Sequence, residues 1–524
     1  MIQRLLIANR GEIAVRIIRA CRELGIETVA VYSEADANAR HVREADAAVA
    51  IGPAPARESY LDMATIVEAA RSSGAEAVHP GYGFLSERAL FARACEQAGL
   101  IFVGPPAAAL EKMGSKIGAR RLMARAGVPL VPGEEPADQS DGSLGVSIER
   151  IGYPALIKPA AGGGGIGMKV VRASSEVAGA VTAARREARA SFGDDTLYVE
   201  RLIERPRHVE IQVLADAHGN TVHLFEREGS VQRRHQKMVE ESPCVALGPA
   251  VRERMGAAAI AAATAVGYRN AGTCEFLLEG DGDDARFYFL EMNTRLQVEH
   301  PVTEAVVGVD LVHAQLRVAS GEPLPFTQAA LSQRGHAIEC RVYAEDPAQG
   351  FLPQAGTVLL YSEPQGPGIR VDGWIEQGSM VPVHYDPLLA KLIVWAESRD
   401  AARRRAITAL RNYAVLGIQT NIPFLIRLLE HPDFVGASID TGFLDREAAA
   451  LAKQTEVDPP PAVLTAVDLH RTSGTSPNQT LGPPTLAPAL PASFGEVSPE
   501  RPSAAEAETP GTVDPFVSLR GFRV

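Results

Sequence analysis

A run of glycines between two short apolar segments constrains the fold of this chain more than any other feature. Residues 157–168 read IKPAAGGGGIGM, and the segments 153–159 and 168–172 beside the run have the composition of β-strands. Consecutive glycines leave a loop of bare backbone amides that can surround phosphate oxygens. Lys158, at the end of the first predicted strand, adds a positive charge. A run of glycines by itself could also be a flexible hairpin turn. The combination of a strand, a lysine and a glycine run favours phosphate binding.

The surroundings of this loop argue against two common nucleotide-binding patterns. No Gly-Lys-Ser/Thr sequence leads from the loop into a helix, so it is not a Walker A loop. No GxGxxG sequence follows the first predicted strand, which argues against a dinucleotide-dependent dehydrogenase.

The first 110 or so residues alternate between strand and helix patterns. An apolar run at 4–8 precedes apolar residues at helical spacing between Ile13 and Leu24, and Gly25 then stands where a C-cap glycine belongs. Later elements are predicted as a strand at 28–32, a helix near 58–72, a strand at 75–79, a glycine turn at 81–83 and a helix near 86–98. The pattern predicts a parallel α/β domain over residues 1–112.

The length of 524 residues predicts several domains, of α/β and α+β class. Residues 113–330 are expected to form the second domain. Its segment at about 131–205 is a small α+β module, and a helix at 250–266 interrupts the alternating strands of 207–300. In the third, at 331–446, we predict strands at 336–344, 356–361 and 389–395 and helices near 400–412 and 421–431. Residues 447–524 become rich in Pro, Ala and Ser, which predicts a disordered linker or tail.

Composition narrows the classes of function. The formal net charge of -12 argues against a nucleic-acid surface, because phosphate backbones attract basic proteins. The five cysteines form no CxxC or Cys/His cluster, so we expect neither disulfides nor zinc and a reducing compartment. The N-terminal sequence MIQRLLIANRGEIAVRII breaks its apolar pattern with charges, and no later run has the length of a membrane span. We therefore expect a cytoplasmic protein that binds neither nucleic acid nor membrane.

A second motif, FYFLEMNTRLQVEH at 287–300, alternates polar and apolar residues. In an extended chain the polar side chains at 291, 293, 295, 297 and 299 would point to one face. A half-exposed strand would explain the alternation, but such strands are usually richer in Lys and Thr. Glu291 and Asn293 supply oxygen ligands suited to a Mg²⁺ ion that also bridges ATP phosphates. Glu275, in a predicted strand at 273–278, is a natural third ligand.

Two polar segments make a third candidate region. Residues 207–213 read RHVEIQV, and residues 232–237 read QRRHQK, which is markedly basic in an acidic protein. By itself a basic loop is usually solvated. Beside a phosphate loop and a pair of carboxylates it favours a pocket for anions.

These motifs resemble those of ATP-grasp enzymes, and in particular biotin carboxylases. Segments 153–167 and 289–296 resemble the two signatures of the carbamoyl-phosphate-synthetase-like ATP-grasp group. Four segments resemble biotin carboxylases specifically: EMNTRLQVEH at 291–300, ANRGEIA at 8–14, HPGYGF at 79–84 and RRHQK at 233–237. The similarity runs from residue 1 to about 446, and it implies an N-terminal domain, an ATP-grasp domain with a mobile lid and a C-terminal α+β domain. Ala155 and Arg201 depart from the family, which usually has a larger apolar residue and Lys there.

The resemblance also implies roles for single residues. Positions that match ATP contacts are Lys116, Lys158, Gly163, Gly164, Gly165, Gly167, Glu200, Ile203, His208, Gln232, His235, Glu275 and Glu291. Positions that match ligands of Mg²⁺ or Mn²⁺ are Glu275, Glu291 and Asn293. The bicarbonate and biotin pocket is matched by Tyr82, Lys237, Arg295, Gln297, the Val298 backbone, Glu299 and Arg341. Lys237, Arg295, Glu299 and Arg341 match catalytic positions, with Glu299 as the general base and Arg341 on the ureido oxygen of biotin.

The implied activity is ATP-dependent carboxylation of biotin by bicarbonate through carboxyphosphate. This is the first half-reaction of acetyl-, propionyl- or methylcrotonyl-CoA carboxylases. The sequence has no Ala/Val-Met-Lys-Met segment, so we expect biotin to arrive on a separate carrier protein or domain. A carboxyltransferase subunit and a homodimer are further expected partners. Residues 514–524 resemble the start of the connecting domain of longer α-chains.

Two alternative functions stay open at this point. Another ATP-grasp ligase, joining a carboxylate to an amine, would keep the glycine loop and the metal carboxylates but would not need residues 295–299 together with Arg341. An inactive homologue that serves as a scaffold is the second alternative, although every expected catalytic side chain is present.

Overall fold

The N-terminal part of the molecule is built on a parallel sheet. The computed structural model describes residues 1–161, 166–234 and 236–453, together with Leu464, Thr465 and Asp468. The strands are β1 Arg4–Ile7, β2 Glu27–Tyr32, β3 Ala47–Ala50, β4 Ala77–His79 and β5 Ile101–Phe102, in the spatial order β3-β2-β1-β4-β5. The helices are α1 Gly11–Leu24, α2 Arg40–Glu44, α3 Met63–Ser72, α4 Ala89–Gln97 and α5 Ala107–Gly114. All paired strands are parallel, which confirms the predicted α/β class.

The order of these strands locates a crevice. The chain leaves β1 towards one side of the sheet and later returns on the other, so β1 and β4 are neighbours whose connections diverge. In open parallel sheets ligands bind outside the carboxyl ends of such strands. The loops that follow β1 and β4, which carry Asn9 and Tyr82, therefore face the cleft described below.

A small antiparallel module follows helix α6 Lys116–Arg125. Its strands are β6 Gly133–Glu134, β7 Ala155–Pro159, β8 Lys169–Val171 and β9 Leu197–Arg201, and its helices are α7 Asp141–Ile151 and α8 Val177–Phe192. The sheet order is β6-β9-β7-β8. Aliphatic side chains such as Leu144, Ile157 and Val181 give this small module a core of its own.

The next stretch is dominated by long strands. They are β10 Arg207–Ala215, β11 Thr221–Arg233, β12 Gln236–Ser242, β13 Asn270–Glu279 and β14 Arg286–Asn293. Helix α9 Pro249–Val266 covers one face of them, and α10 His300–Val307 and α11 Leu311–Ala319 follow. Helix α9 agrees with the helix predicted at 250–266, and the structure shows it delimited by Pro249 in its first turn and by Gly267, in the left-handed conformation, at its end.

The remaining elements complete the C-terminal part. The strands are β15 His336–Tyr343, β16 Glu345–Asp346, β17 Leu352–Pro353, β18 Gly356–Thr357, β19 Leu360–Ser362, β20 Ile369–Gly373, β21 Met380–Val381, β22 Leu388–Ala396 and β23 Ala414–Leu416. The helices are α12 Arg399–Arg411, α13 Ile422–Glu430, α14 Pro432–Val435 and α15 Phe443–Leu451. Short 3₁₀ helices lie at Glu34–Asp36, Ala56–Glu58, Ser174–Glu176, Gln328–Ala330 and Pro347–Gln349.

One sheet joins the second and third predicted domains. Eight antiparallel strands lie in the order β14-β13-β10-β11-β12-β15-β22-β20, and we call this the large sheet. Strand β15 pairs with β12, and Glu339 of β15 lies opposite Glu240 of β12. The large sheet therefore continues across the predicted domain boundary at residue 330. This continuity places Arg341 on the same sheet as the strands of the second predicted domain.

Two details differ from the sequence predictions. The strand predicted at 356–361 is two short strands, because β18 pairs with β21 while β19 pairs with β23. The predicted start of the tail at residue 447 is too early. Helix α15 runs to Leu451, which is buried and whose backbone carbonyl accepts a hydrogen bond of 2.6 Å from Arg427. Apart from Leu464, Thr465 and Asp468, the tail beyond residue 453 lies outside the described residues.

The described residues include no helix with the length and apolarity that a membrane crossing needs. The five cysteines are all buried, and none is in a disulfide.

Candidate active site

A cleft of about 1100 Å³ lies where the N-terminal sheet, the small module and the large sheet meet. The residues predicted for the site that line it are Tyr82, Lys116, Lys158, Glu200, Ile203, His208, Gln232, Lys237, Glu275, Glu291, Asn293, Arg295, Gln297, Val298, Glu299 and Arg341. Gly163, Gly164, Gly165 and His235 lie outside the described residues. The fold thus gathers into one cavity side chains that are far apart in sequence.

Gly167 is the one described site prediction that does not line the cleft. Its φ of +77° is in the left-handed region, and a Cβ there would lie 2.8 Å from Cγ of Pro159. Only glycine fits this position without a shift of the neighbouring strand. The structure therefore gives Gly167 a packing role.

One end of the cleft carries two lysines and one carboxylate. Lys158 Nζ donates to Glu200 Oε2 over 2.9 Å, and Arg120 pairs with the other oxygen of Glu200. Burial alone would lower the pKa of Lys158, but Glu200 and Tyr198 raise it. Burial and then the charge of Lys158 lower the pKa of Lys116. This end has the excess positive charge that a polyphosphate requires.

Glu299 lies between two cations at the other end. Lys237 Nζ donates to Glu299 Oε1 over 2.7 Å, and an Nη of Arg341 donates to Glu299 Oε2 over 2.9 Å. Lys237 also contacts Glu210 at 2.5 Å and Glu275 at 3.1 Å. All these side chains are buried, so their attraction is little screened by water.

The charges of this cluster shift each other's pKa values. Burial alone would raise the pKa of Glu299, but Lys237 and Arg341 outweigh it and hold the pKa well below its usual range. Burial would lower the pKa of Lys237, whereas its three carboxylates raise it. Glu240 accepts from Arg341 Nε over 2.6 Å, yet its burial raises its pKa to about 7. Glu299 is consequently ionised, and at rest it is a weak base.

The motif at 287–300 is only partly a strand. β14 ends at Asn293, and residues 294–299 form a loop into α10, so the five polar side chains do not lie on one face of an extended chain as predicted. Buried Leu296 draws this loop into the N-terminal core, and Pro301 sits in the first turn of α10. Glu299 is the N-cap residue, but its carboxylate makes no capping hydrogen bond and points into the cleft.

The predicted metal ligands are only partly assembled. Glu275 and Glu291 face each other in register across β13 and β14, and two carboxylates beside an amide suit a hard cation. Glu275 is already engaged by Lys237, and by Gln297 through a hydrogen bond of 2.8 Å. Asn293 Oδ1 accepts from Arg295 over 3.0 Å. The residues fit Mg²⁺ by donor chemistry, and Glu275 has to exchange its present partners to bind one.

A second set of side chains, overlapping with the predicted ligands at Glu275, also groups metal-type donors in the cleft. Atoms of His208, Glu210 and Glu275 lie within 4.8 Å of one another, and His208 Nε2 is 3.1 Å from Glu275 Oε2. The ammonium group of Lys237 already supplies a positive charge to both carboxylates. These contacts explain the group without a metal.

Sequence reasoning missed a layer of charges behind the cleft. Arg227 is fully buried and donates to Glu210 at 2.6 Å, Gln212 at 2.7 Å and Gln297 at 2.6 Å. A signal was present, because the alternation of RHVEIQV puts three polar side chains on one face of β10. Nothing local indicated Glu240, which reaches the site through the pairing of β12 with β15.

Known proteins resemble this chain in architecture and in amino-acid sequence. Consecutive parts of the chain match family models described as "Biotin carboxylase, N-terminal domain" at residues 1–110, "Carbamoyl-phosphate synthase L chain, ATP binding domain" at 115–327 and "Biotin carboxylase C-terminal domain" at 339–446. Biotin carboxylase 1 of Bacillus subtilis is 51% identical over 445 residues, which are 85% of this chain and 98% of that protein.

A longer relative and a solved structure extend the comparison. The mitochondrial methylcrotonoyl-CoA carboxylase subunit alpha of Arabidopsis thaliana is 51% identical over 452 residues, 86% of this chain. The match spans only 61% of that relative. The biotin carboxylase domain dimer of Hydrogenobacter thermophilus 2-oxoglutarate carboxylase, crystallised with MgADP, ADP and bicarbonate, is 44% identical and superposes with a TM-score of 0.81. That match covers 87% of this chain and all of that domain.

Fold and site together define an enzyme of the ATP-grasp class. Within that class the chain belongs to the biotin carboxylase family, as shown by the near-complete coverage of the Bacillus protein.

Proposed function

We propose that this chain uses ATP and bicarbonate to carboxylate biotin carried by another protein or domain, as the first half-reaction of an acyl-CoA carboxylase. The observation that carries the proposal is Glu299 between Lys237 and Arg341, in the same cleft as Lys116 and Lys158. A base between two cations at one end, and a phosphate-type pocket at the other, suit the phosphorylation of a small oxyacid.

In this proposal ATP binds between the small module and the large sheet. Lys116 and Lys158 face its phosphates together with the glycine loop, and Glu200, Ile203, His208, Gln232 and His235 complete the nucleotide site. Glu275, Glu291 and Asn293 would hold Mg²⁺, or Mn²⁺ in its place. A bound divalent ion neutralises charge on the phosphates. The related domain crystallised with MgADP and bicarbonate supports both ligands.

Bicarbonate occupies the pocket of Lys237, Arg295, Gln297 and the Val298 backbone. The bound anion competes with Glu299 for Lys237 and Arg341, which weakens their hold on the carboxylate. The pKa of Glu299 then rises towards the range in which a general base works best. Substrate binding thus converts Glu299 from an ion-pair partner into the base that takes the proton of bicarbonate.

The remaining chemistry needs no further protein acid. Deprotonated bicarbonate attacks the γ-phosphate, and ADP leaves as carboxyphosphate forms. Carboxyphosphate breaks down to CO₂ and phosphate, and the phosphate accepts the N1′ proton of biotin. Arg341 then stabilises the negative oxygen of the biotin enolate by charge-assisted hydrogen bonds, with Tyr82 beside the ring. CO₂ adds to N1′ and carboxybiotin is complete.

The proposal includes partners and a location. Biotin comes on a carrier protein or domain, a carboxyltransferase consumes the product, and the chain works as a homodimer; the related crystallised domain is a dimer. The buried, unpaired cysteines suit the reducing cytoplasm. Affinity capture followed by mass spectrometry should recover a biotinylated protein, and light scattering should give twice the mass of 55.8 kDa.

The deciding experiment is an ATP cleavage assay with purified protein. We expect release of ADP to depend on bicarbonate and to rise when free biotin is added, with carboxybiotin as product. Stimulation by an amine or amino acid, with no response to biotin, would identify the carboxylate–amine ligase alternative. No turnover with any of these would favour the scaffold.

A further inference from the structure

A buried ion pair behind the cleft joins the N-terminal domain to the large sheet. Lys391, on β22, is fully buried, and its Nζ lies 3.3 Å from Oε2 of Glu12. Glu12 stands in the first turn of α1 and is itself 3% exposed. Asp372 is a more distant partner of Lys391, at 4.0 Å, and is mainly held by Arg370. Neither Lys391 nor Glu12 has a role in the chemistry proposed above.

The ammonium group of Lys391 reaches the loop that carries Glu299. Its Nζ donates to the backbone carbonyl of Val298 over 2.9 Å. The Val298 carbonyl and the Glu299 N–H belong to one planar peptide, so fixing the first fixes the direction of the second. A hydrogen bond from a charged donor is strong and directional. Lys391 thereby orients the turn from which the Glu299 side chain enters the cleft.

Glu12 acts on the opposite wall of the same pocket. Its Oε1 accepts a hydrogen bond from the hydroxyl of Tyr82, while Oε2 faces Lys391. Asn9, in the loop that precedes α1, donates to the backbone carbonyls of Pro80 and Tyr82 over 2.7 Å each. One carboxylate therefore bridges the tyrosine that lines the cleft and the lysine that holds the Val298 turn.

The pair lies next to Arg341 as well. Lys391 and Arg341 are directly opposite each other in the register of β22 and β15. Burial raises the pKa of Glu12 to about 7 despite the attraction of Lys391, so the contact with Lys391 only partly offsets the desolvation of this carboxyl. Buried ion pairs can often be replaced by apolar side chains without loss of stability, so stability alone does not require a charged pair here.

We propose that Lys391 and Glu12 are positioning residues that set the distance between the Val298–Glu299 turn and Tyr82, and so shape the bicarbonate and biotin end of the cleft. The inference rests on the proposed function, because it assigns substrates to that end. It predicts that the pair affects bicarbonate use and carboxyl transfer, and leaves ATP binding alone.

The test measures steady-state kinetics of Lys391→Met and Glu12→Gln in the full chain. Lys391→Met keeps the length of the side chain and removes the donor, so the KM for bicarbonate should rise about tenfold, the equivalent of one charge-assisted hydrogen bond. Glu12→Gln should raise it about threefold. In both variants the KM for ATP should stay within about twofold, and less carboxybiotin should form per ADP released.

Arg399→Met is the matched control. Arg399 pairs with buried Glu241 at 2.6 and 3.0 Å, its own side chain is 14% exposed, and neither residue lines the cleft. This variant should lower the melting temperature and leave both the KM for bicarbonate and the carboxybiotin-to-ADP ratio unchanged. It measures what the loss of a buried pair does by itself.

Each outcome decides the matter. If the wild-type protein lacks bicarbonate-dependent ATP cleavage, the proposed function fails and this inference with it. If the wild type is active and both variants behave like Arg399→Met, the pair is structural and only this inference is overturned. Should Lys391→Met not fold, Glu12→Gln decides alone by the same two readouts.

Discussion

The small module and the large sheet contribute to one cleft but are built on opposite principles. The module has an aliphatic core and reaches the cleft mainly through Lys158 and Glu200. The large sheet supports interlocked charges, in which Arg227, Lys237 and Arg341 each contact two or more partners. These three charges are therefore fixed by several neighbours, whereas Lys158 of the module depends on one carboxylate and one ring.

Among the described residues, the connections between the two regions are few. An isolated β-bridge joins Leu130 to Phe289, and half-exposed Arg201 pairs with Glu279 at 2.8 Å and donates to the hydroxyl of Tyr288 over 2.9 Å. A module with its own core and few links can move as a unit, which is what a lid over a nucleotide requires. For the proposed function we therefore expect a division of labour, in which the module closes on ATP and the large sheet holds the reacting groups in place.

The largest effect should come from breaking the charge network of the large sheet. Glu299→Gln keeps shape but removes the proton acceptor, so bicarbonate-dependent ATP cleavage and biotin carboxylation should both fall about 10²–10⁴-fold. Arg341→Ser should preserve ATP cleavage while carboxylation collapses. The ratio of carboxybiotin to ADP separates the two variants. Loss of only the biotin step in Glu299→Gln, or equal loss of both in Arg341→Ser, would contradict these roles.

The metal carboxylates should give the next largest effect. Glu275→Gln and Glu291→Gln each remove one charged oxygen ligand, so the Mg²⁺ concentration for half-maximal ATP cleavage should rise about tenfold. Glu279→Gln is the control, since it lies on the same strand outside the cleft lining. Near-normal activity of both site variants at limiting Mg²⁺ would make these carboxylates merely structural.

A change in the module should affect ATP alone. Lys158→Met removes the charge that faces the phosphates in our proposal, and the KM for ATP should rise about tenfold with the KM for bicarbonate within about twofold. Lys169→Met, in the same sheet and paired with Glu187, should change neither constant. An equal rise of both constants in Lys158→Met would mean that module and sheet do not divide the substrates.

The smallest effect should come from the link between the two regions. Arg201→Met breaks the half-exposed pair with Glu279, which is worth at most about 1 kcal/mol. Turnover should stay within about twofold, while amide exchange in β6–β9 accelerates up to about fivefold. A lower melting temperature of the whole molecule, without faster exchange in the module, would show that module and sheet unfold as one body.

Much of the architecture could be predicted because its signals are local. Helix α9 lies where the sequence analysis predicts a helix, at 250–266, and the first sheet follows from apolar runs that alternate with helical patterns. The prediction of one polar face over 291–299 was wrong beyond Asn293, because periodicity along a chain does not reveal that buried Leu296 turns it inward. The start of the tail was misplaced for a related reason, because composition does not reveal that Leu451 packs against the C-terminal core.

By itself the sequence determined the chemistry that the chain carries: a glycine loop with a lysine, carboxylates two residues apart, and a basic segment, all short-range patterns. Only the tertiary structure decided which of these groups meet. Arg341 reaches Glu299 because β15 extends the large sheet. Glu12 contacts Lys391 although the two residues lie far apart in the sequence. The register in which distant strands pair depends on how much apolar surface the whole pairing buries. No local sequence pattern encodes that total.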